Sequence, residues 1–331
     1  MENHFSISVA MCTYNGERYI LEQLESIAHQ DRLPNELIIV DDRSVDGTLI
    51  IVREFAQAVS FPVYIIENAQ NTGSTKSFER AVKACTGDII AFADQDDVWN
   101  ENRLAKTELY FYTHPDMDAV FSNAEVINDD SIPQGRSIWD EVQFTAEAQT
   151  EWAYGKAYQK LFSGYIVTGA TLSIRRSILP LITPFPTHVP ILIHDAWIAL
   201  IMALHGRIGF MTDCLISYRM HTHQQVGFKP ARTKVTLRDR LTRGRESKLA
   251  YVRKMANRYQ QLYELLSSRP DIDKKKIRLL ERLKDHYTTR VNLPVARFRR
   301  IWPVIRELLE SNYQLNEGRW WLTAIGDLLE D

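Results

Sequence analysis

The chain has 331 residues, of which 45% are apolar and 25% charged, so it is an ordinary soluble protein with more chain than one small core requires. Cys12, Cys85 and Cys214 are scattered, odd in number and without metal-type spacing, which favours buried free thiols in a reducing cytosol over disulfides. The net charge of −2 hides an uneven distribution: residues 1–229 carry 17 basic and 29 acidic side chains (−12), residues 230–306 carry 22 and 7 (+15), and residues 307–331 carry 1 and 6 (−5). The shift in composition near Gly227–Pro230 divides the chain into two expected domains, 1–229 and 230–331.

No secretory leader is expected, because Met1 to His4 lacks a basic start and an apolar run. Four short runs rich in Ile and Val follow one another: ISVAMCT, ELIIVDD (36–42), PVYIIEN (62–68) and DIIAFAD (88–94). Their nearly continuous apolar character predicts strands buried on both faces. Helical patterns lie between and after them, over 17–29, 46–58, 74–85 and 100–113, the last following Asn100 as a candidate N-cap. This alternation predicts an α/β fold with a mostly parallel sheet, whose ligands bind beyond the carboxyl ends of the strands. The longest apolar stretch, VPILIHDAWIALIMAL (189–204), carries His194 and Asp195. It is short for a membrane span and is read as a buried helix. Beyond residue 231 the pattern is helical, over 234–267, 271–290 and 296–330, with breaks expected at Pro270, Pro294 and Pro303.

The polar clusters fall just after the predicted strands. Thr13, Tyr14 and Asn15 follow the first, Asp41 and Asp42 end the second, and Asn68 to Gly73 follow the third. Asp94, Gln95, Asp96 and Asp97 follow the fourth, and carboxylates so crowded repel unless a positive charge lies between them. Asp94 and Asp96 share a face of an extended segment and offer hard oxygen donors suited to Mg²⁺ or Mn²⁺. The competing reading is an Asp-rich turn or cap. Asp42 ends a buried strand where a carboxylate can accept from a ribose hydroxyl or a base N–H. No glycine-rich fingerprint follows the first strand, so an ordinary dinucleotide fold is not expected.

AMCTYNGERYILEQLESI, VDDRSVDGT, NTGSTKSFERA and ADQDDVW, in this order, resemble the successive motifs of the family 2 glycosyltransferases of GT-A fold, over roughly residues 5–227. The resemblance is nearest to the rhamnosyltransferase-like branch. It implies that Thr13, Tyr14 and Asn15 line a nucleotide pocket, that Asp42 contacts base or ribose, and that Gly73 and Lys76 lie near the diphosphate. It places Asp94 and Asp96 on the family's DxD positions, with Gln95 between them, for binding ribose and the divalent metal. The chain departs from the pattern at Ser77, where Asn is common, and at Arg103, where Lys is common.

In the same resemblance His194-Asp195 occupies the place of the family's acidic pair, which makes Asp195 the expected general base for an acceptor hydroxyl. The competing reading of Asp195 is a helix cap. SYRMHTHQQVG (217–227) resembles a motif that places His221 near diphosphate or metal, with Arg219 as a phosphate partner and His223 as a weaker candidate. Trp99, Gly169, His194 and Trp197 are assigned to the acceptor side, Trp99 either stacking on a sugar or simply packing, and the glycines of FSGYIVTGAT either allowing close backbone approach or bending a buried strand.

The implied activity is a metal-dependent inverting glycosyltransferase. Its donor is a nucleotide-diphospho-sugar (dTDP-rhamnose-like or a UDP-sugar) and its acceptor a glycan or lipid-linked glycan. The basic helical part, with RDRLTRGRESK, KKKIR and ARFRR, suits an anionic partner. An anionic membrane surface on the cytoplasmic side is preferred to nucleic acid. The bland alternative is that this part neutralises the acidic one. A sugar-phosphate nucleotidyltransferase and a non-catalytic binder of nucleotide-sugar or nucleic acid are the rival functions; CTYNGERY is a poor phosphate loop for the first.

Overall fold

The computed structural model describes residues 4–221, 224, 245–315 and 320–329. Four parallel strands, β1 (Ile7–Thr13), β2 (Glu36–Asp41), β3 (Val63–Glu67) and β4 (Ile89–Ala93), lie in the order β3-β2-β1-β4. β2 and β4 are buried throughout and β1 nearly so, as unbroken apolar runs require when helices cover both faces. β3 is the edge and leaves Tyr64 exposed. The crossovers are α1 (Ile20–Ala28), α2 (Thr48–Ala58) and α3 (Ser74–Ala84). α1 buries Ile20, Gln23, Leu24 and Ile27, the spacing of one helical face.

The remaining sheet is less regular. In chain order come β5 (Val98–Trp99), α4 (Arg103–Thr113), β6 (Ala119–Ile127), β7 (Pro133–Ser137), α5 (Ile138–Glu141), α6 (Ala146–Glu151) and α7 (Ala157–Ser163). Then follow β8 (Leu172–Arg175), α8 (Leu179–Ile182), α9 (His194–His205) and β9 (Ile208–Arg219). β8 is antiparallel to both β4 and β6, β9 is parallel to β6, and the short β5 and β7 pair antiparallel on β9 and β6. Helix α4 starts at Arg103, with Asn102 and not Asn100 at its N-cap position.

Residues His194 to Leu204 of α9 are all buried, so the stretch with membrane-like hydropathy is a core helix. Gly206 closes it in the left-handed region (φ 70°), which lets its N–H reach the Ala203 carbonyl. All three cysteines are free; Cys85 is buried, but Cys214 is exposed on β9, against the expectation for that thiol.

The chain clusters into two compact units, Met1–Thr187 with Leu192–Phe228, and His188–Ile191 with Lys229–Asp331. The second contains α10 (Arg245–Leu266), α11 (Lys274–Val291), α12 (Arg297–Leu309) and α13 (Trp320–Leu329). Residues 234–244 of the first predicted helix in this part lie outside the described residues. Pro303 does not break α12 but sits inside it; the break comes at 310–312, where Ser311 has a positive φ of 56°. Buried polar pairs join these helices, His286 Nδ1 to Glu307 Oε2 at 2.7 Å and Arg290 Nε to Asp327 Oδ2 at 2.8 Å, and Tyr313, in the turn after α12, donates Oη–H to Asp327 Oδ2 at 2.7 Å. Among the described residues no helix is long and apolar enough to cross a membrane.

Candidate active site

The parallel register brings the strand ends together. Thr13 lies opposite Asp41, Asp41 opposite Glu67, and Met11 opposite Ala93, so the loops after β1, β2, β3 and β4 share one rim. Hydrogen bonds then lock these loops to each other. Asp41 accepts from Thr13 Oγ1 at 2.8 Å and from the Ser44 N–H at 2.8 Å. The Asn15 N–H donates to Ser44 Oγ at 2.9 Å, and Asn15 Oδ1 accepts from the Val45 N–H at 2.9 Å.

Asp42, expected at base or ribose, spends both oxygens inside the protein. It accepts from the Thr72 N–H, the Gly73 N–H and Asn68 Nδ2, each at 2.8 Å. Burial pushes its pKa up, but these bonds to the charged form outweigh burial and the net shift is downward. Asp42 is therefore the anchor of the 68–73 loop. Gly73 (φ 85°) opens α3 in a conformation that suits glycine, and Lys76 stands exposed on the first turn.

Gln95 bridges two loops. Its Oε1 accepts from the Tyr14 N–H at 2.8 Å and its Nε2 donates to the Tyr14 carbonyl at 3.1 Å. A Cβ on Gly16 would lie 2.3 Å from that Oε1, so the glycine after Asn15 makes room for the clamp. The amide thus holds the Tyr14 backbone instead of pointing outward.

The acidic cluster holds three differently placed carboxylates. Asp94 is driven up to about 8 by burial, then by Asp96 and Asp195, with Arg103 opposing. Asp97 is fully buried; it accepts the Arg219 N–H at 3.0 Å, and burial together with Asp96 and Asp94 raises its pKa well above the carboxylate range. Asp96 faces His221 Nε2 at 2.8 Å, and the His221 ring packs on Tyr19 at 4.9 Å.

Part of the compensating charge is internal. Arg103 is buried, lies 3.7 Å over the Trp99 ring and donates to the Phe92 carbonyl at 2.9 Å. Burial lowers its pKa to about 9, while Asp97 and Asp94 pull it back up. Among the described residues Arg103 Nη1 and Asp97 Oδ2 have no hydrogen-bond partner. In the sequence Arg103 stands out only as a departure from the family motif. The signal available was its spacing, one helical entry beyond a carboxylate cluster.

Arg219 is corrected from phosphate partner to structural tie. Its Nε donates to the Asp96 carbonyl at 2.7 Å, Nη1 to Ser131 Oγ at 2.9 Å and Nη2 to Glu22 Oε2 at 2.6 Å, and it is fully buried. These bonds hold the backbone of the acidic loop from behind.

Asp195, 2% exposed, is not the helix cap; Ile193 holds that position and Asp195 lies in the first turn of α9. Its Oδ2 accepts from the Tyr165 hydroxyl and from the Gly169 N–H at 2.8 Å. Burial raises its pKa to about 6, against the lowering effect of bonds from Tyr165, Ala196 and Gly169. A carboxylate poised there is ionised at neutral pH yet basic enough to accept a proton. Tyr165 lies within FSGYIVTGAT, and its partnership with Asp195 spans 30 residues and has no local signature.

The other acceptor-side expectations are corrected. Trp99 is 4% exposed and sandwiched under Arg103, because the two-residue strand β5 turns it inward. Trp197 is buried and donates Nε1–H to the Ile182 carbonyl at 2.7 Å. His194 stacks on Phe78 at 4.1 Å, and burial lowers its pKa to about 3, so it is neutral packing. Gly169 does sit against the site: a Cβ there would lie 3.1 Å from Asp195 Oδ2 and 3.0 Å from His194 Nε2.

Among the described residues no group of three or more His, Cys, Asp or Glu side chains has metal-holding geometry. The donor chemistry nonetheless fits a hard divalent cation. Asp96 and His221 present an oxygen and a nitrogen ligand atom 2.8 Å from each other, beside Asp94, whose pKa is raised by burial first and then by the Asp96 and Asp195 carboxylates. His223 lies outside the described residues.

A family model described as glycosyl transferase family 2 matches residues 8–179. The dTDP-rhamnosyl transferase RfbG of Shigella flexneri is 29% identical over 228 residues, 66% of this chain and 73% of that protein. The putative glycosyltransferase EpsE of Bacillus subtilis is 38% identical over 108 residues, which span 33% of this chain and 39% of EpsE. The chain thus covers well under two thirds of some of its curated relatives. The mannosyltransferase PcManGT of Pyrobaculum calidifontis, solved with GDP-Man and Mn²⁺, superposes with a TM-score of 0.56 at 18% identity, covering 99% of this chain and 86% of its own. TarS 1–349 of S. aureus, solved with UDP-GlcNAc, gives 0.54 at 18% identity, covering 94% and 81%. At that identity the superpositions establish the GT-A fold, and the family match extends over more than half of the chain. With both in hand, the rim of carboxylates beyond a parallel sheet has its assignment: this chain belongs to glycosyl transferase family 2.

Proposed function

We propose that the chain is a metal-dependent inverting glycosyltransferase that moves a sugar from a nucleotide-diphospho-sugar to a hydroxyl of a growing glycan. The observation that carries this reading is Asp195: a buried carboxylate with its pKa raised to about 6, oriented by Tyr165 and Gly169 and electrostatically coupled to Asp94. Asp195 takes the proton of the acceptor hydroxyl as its oxygen bonds to the anomeric carbon. The bond from that carbon to the diphosphate breaks on the opposite face, and its electron pair leaves on the phosphate oxygen. Asp96 and His221, beside Asp94, would hold Mn²⁺ or Mg²⁺, whose charge stabilises a leaving diphosphate. Tyr14, Asn15, Gly73 and Lys76 line the rim where the nucleotide and its phosphates would lie, with buried Thr13 behind them, its hydroxyl on Asp41.

Relatives motivate the substrate classes. RfbG is named for dTDP-rhamnosyl transfer, and WfgD of Escherichia coli, 30% identical over 128 residues, for glucosyl transfer from UDP-Glc to a diphosphoundecaprenol-linked GlcNAc. By likeness to these relatives, a dTDP- or UDP-sugar donor, a lipid-linked acceptor and work on the cytoplasmic side of a membrane are part of the proposal for this chain.

Calorimetry with UDP-, dTDP- and GDP-sugars in Mn²⁺, Mg²⁺ or EDTA tests the reading on the native chain and on Asp96→Ala. Metal-dependent binding of one donor, lost in the variant, supports it. Absence of binding to every donor under every condition sinks it. Binding without turnover, indifferent to Asp195→Asn, would instead favour a non-catalytic nucleotide-sugar binder.

A further inference from the structure

Helix α12 (Arg297–Leu309) is mounted with its apolar face outward. Phe298, Trp302 and Leu309 are 71%, 71% and 78% exposed, and Ile301 and Ile305 are exposed with them. At 3.6 residues per turn these five occupy one arc of about 100°. The opposite face points inward and carries charge: Arg300, Val304 and Glu307 are its buried residues. Arg300 donates to the carbonyls of Pro294 at 2.6 Å and Val295 at 2.8 Å, while Glu307 pairs with His286 and accepts from Asn312 Nδ2 at 3.0 Å. A surface helix normally buries its apolar stripe and wets its charges. Here the buried charges are satisfied, so the orientation is locked, and an aromatic and aliphatic face is held in solvent.

We propose that this face of α12 is the membrane-contacting surface of the chain and that its occupant is a bilayer bearing anionic phospholipid. The argument for that occupant is charge. Exposed Arg297 lies on one side of the apolar arc and exposed Arg299 and Arg306 on the other. Between 297 and 309 the only acidic residue is Glu307, which is buried, so no carboxylate interrupts the outward face. Residues 230–306 carry a balance of +15. Apolar and aromatic side chains entering the acyl boundary, with arginines reaching back to phosphate, are what an interfacial helix requires. Exposed Val295 precedes the helix, and exposed Trp321, Ile325 and Leu329 recur at near-helical spacing on α13, which packs against α12 through Val304 and Ala324. The inference extends the lipid-linked acceptor proposed above by naming the surface that would reach the lipid.

The test is co-sedimentation of the full chain with vesicles of pure phosphatidylcholine and of equal parts phosphatidylcholine and phosphatidylglycerol. Binding to the anionic vesicles and not to the neutral ones is expected, and it should weaken as salt is raised. Phe298→Ser with Trp302→Ser should reduce it by about tenfold or more, since two large apolar groups no longer leave water. Arg297→Gln, Arg299→Gln and Arg306→Gln together should weaken binding and flatten its salt dependence. Quenching of tryptophan emission by brominated lipid, reduced in Trp302→Phe, gives a second readout that does not depend on the folding of the serine variant. Binding undiminished in the serine variant would place the contact elsewhere and overturn the proposal. So would absence of vesicle binding, or self-association that the same substitutions abolish, which would make a second copy the occupant. Donor calorimetry does not involve vesicles, so failure here and failure of the transferase reading are separate results.

Discussion

The Tyr165 hydroxyl and the Gly169 N–H both donate to one oxygen of Asp195, Oδ2, while Oδ1 accepts from the Ala196 N–H at 2.5 Å. Three donors on a buried carboxylate favour its charged form, yet burial outweighs them and leaves the pKa at about 6. The group is thereby kept ionised at neutral pH without being made inert.

Replacement of Asp195 by Asn should lower transfer by about 10²- to 10⁴-fold, the usual worth of a general base. Donor binding measured by calorimetry should be unchanged. In the native chain the rate should rise with pH through about 6 and then level, because only the ionised carboxylate accepts the proton. Tyr165→Phe removes a bond that favours the charged form, so the acid limb should move to higher pH. A limb that stays in place would mean that Tyr165 does not tune this group.

Gly169→Ala tests the positioning. A methyl group 3.1 Å from Asp195 Oδ2 and 3.0 Å from His194 Nε2 is tighter than ordinary packing. Either the carboxylate or the loop must yield, and the Gly169 N–H bond to Asp195 is the contact at risk. A loss of kcat of about tenfold or more is expected, since small misplacements of a catalytic group are costly. Equal kcat in the variant would show that the site tolerates the shift.

Arg103 is the internal counter-ion of the acidic cluster. Arg103→Met should destabilise the chain by about 2–3 kcal/mol, because the Phe92 carbonyl loses a charged donor and Asp94 and Asp97 lose the guanidinium that opposes the rise of their pKa values. Arg103→Lys keeps the charge but gives up the planar contact with Trp99 and the geometry of the bond to the Phe92 carbonyl, so its cost should be smaller, about 1–2 kcal/mol. Urea denaturation of the three proteins orders them. A methionine variant as stable as the native chain would show that the cluster is already protonated or otherwise compensated.

Asp94 gives a pH signature in the metal-free protein. Its folded pKa, about 8, lies above the ordinary 3.8, so the folded state holds a proton that the unfolded chain releases. The stability it contributes is complete below the unfolded value and is lost as pH rises through about 8. In EDTA, the Tm of Asp94→Asn should therefore gain on that of the native chain between about pH 4 and pH 8 and keep a constant margin above that. Added Mn²⁺ should raise the native Tm in the alkaline range and leave the variant less affected. Parallel curves for the two proteins would exclude Asp94 as the titrating group.

The local facts were legible in the sequence. Periodicity marked the four parallel strands, the crossover helices and the burial of α9, because backbone period and apolar spacing are local properties of a chain. Position after a strand marked Thr13, Asn15, Asp42 and Asp94 to Asp97 as rim residues, because parallel strands point the same ends the same way. The resemblance then singled out Asp195 and His221.

Roles that depend on which face a side chain takes were decided only by the tertiary structure. Trp99, Trp197 and His194 looked like acceptor contacts and are packed inside, since a chain's order does not say which side of a short strand or first helical turn meets the core. Arg219 looked like a phosphate ligand and is consumed by Asp96, Ser131 and Glu22, partners 88 to 197 residues away. Asp42 and Gln95 turned inward to hold loops. Arg103 and Tyr165 acquired their roles because folding placed a guanidinium among buried carboxylates and a phenol on the base, and in such surroundings desolvation sets both pKa values and partners. The outward apolar face of α12 has the same origin: its sequence shows an amphipathic helix, and only the buried bonds of Arg300 and Glu307 decide which face meets water.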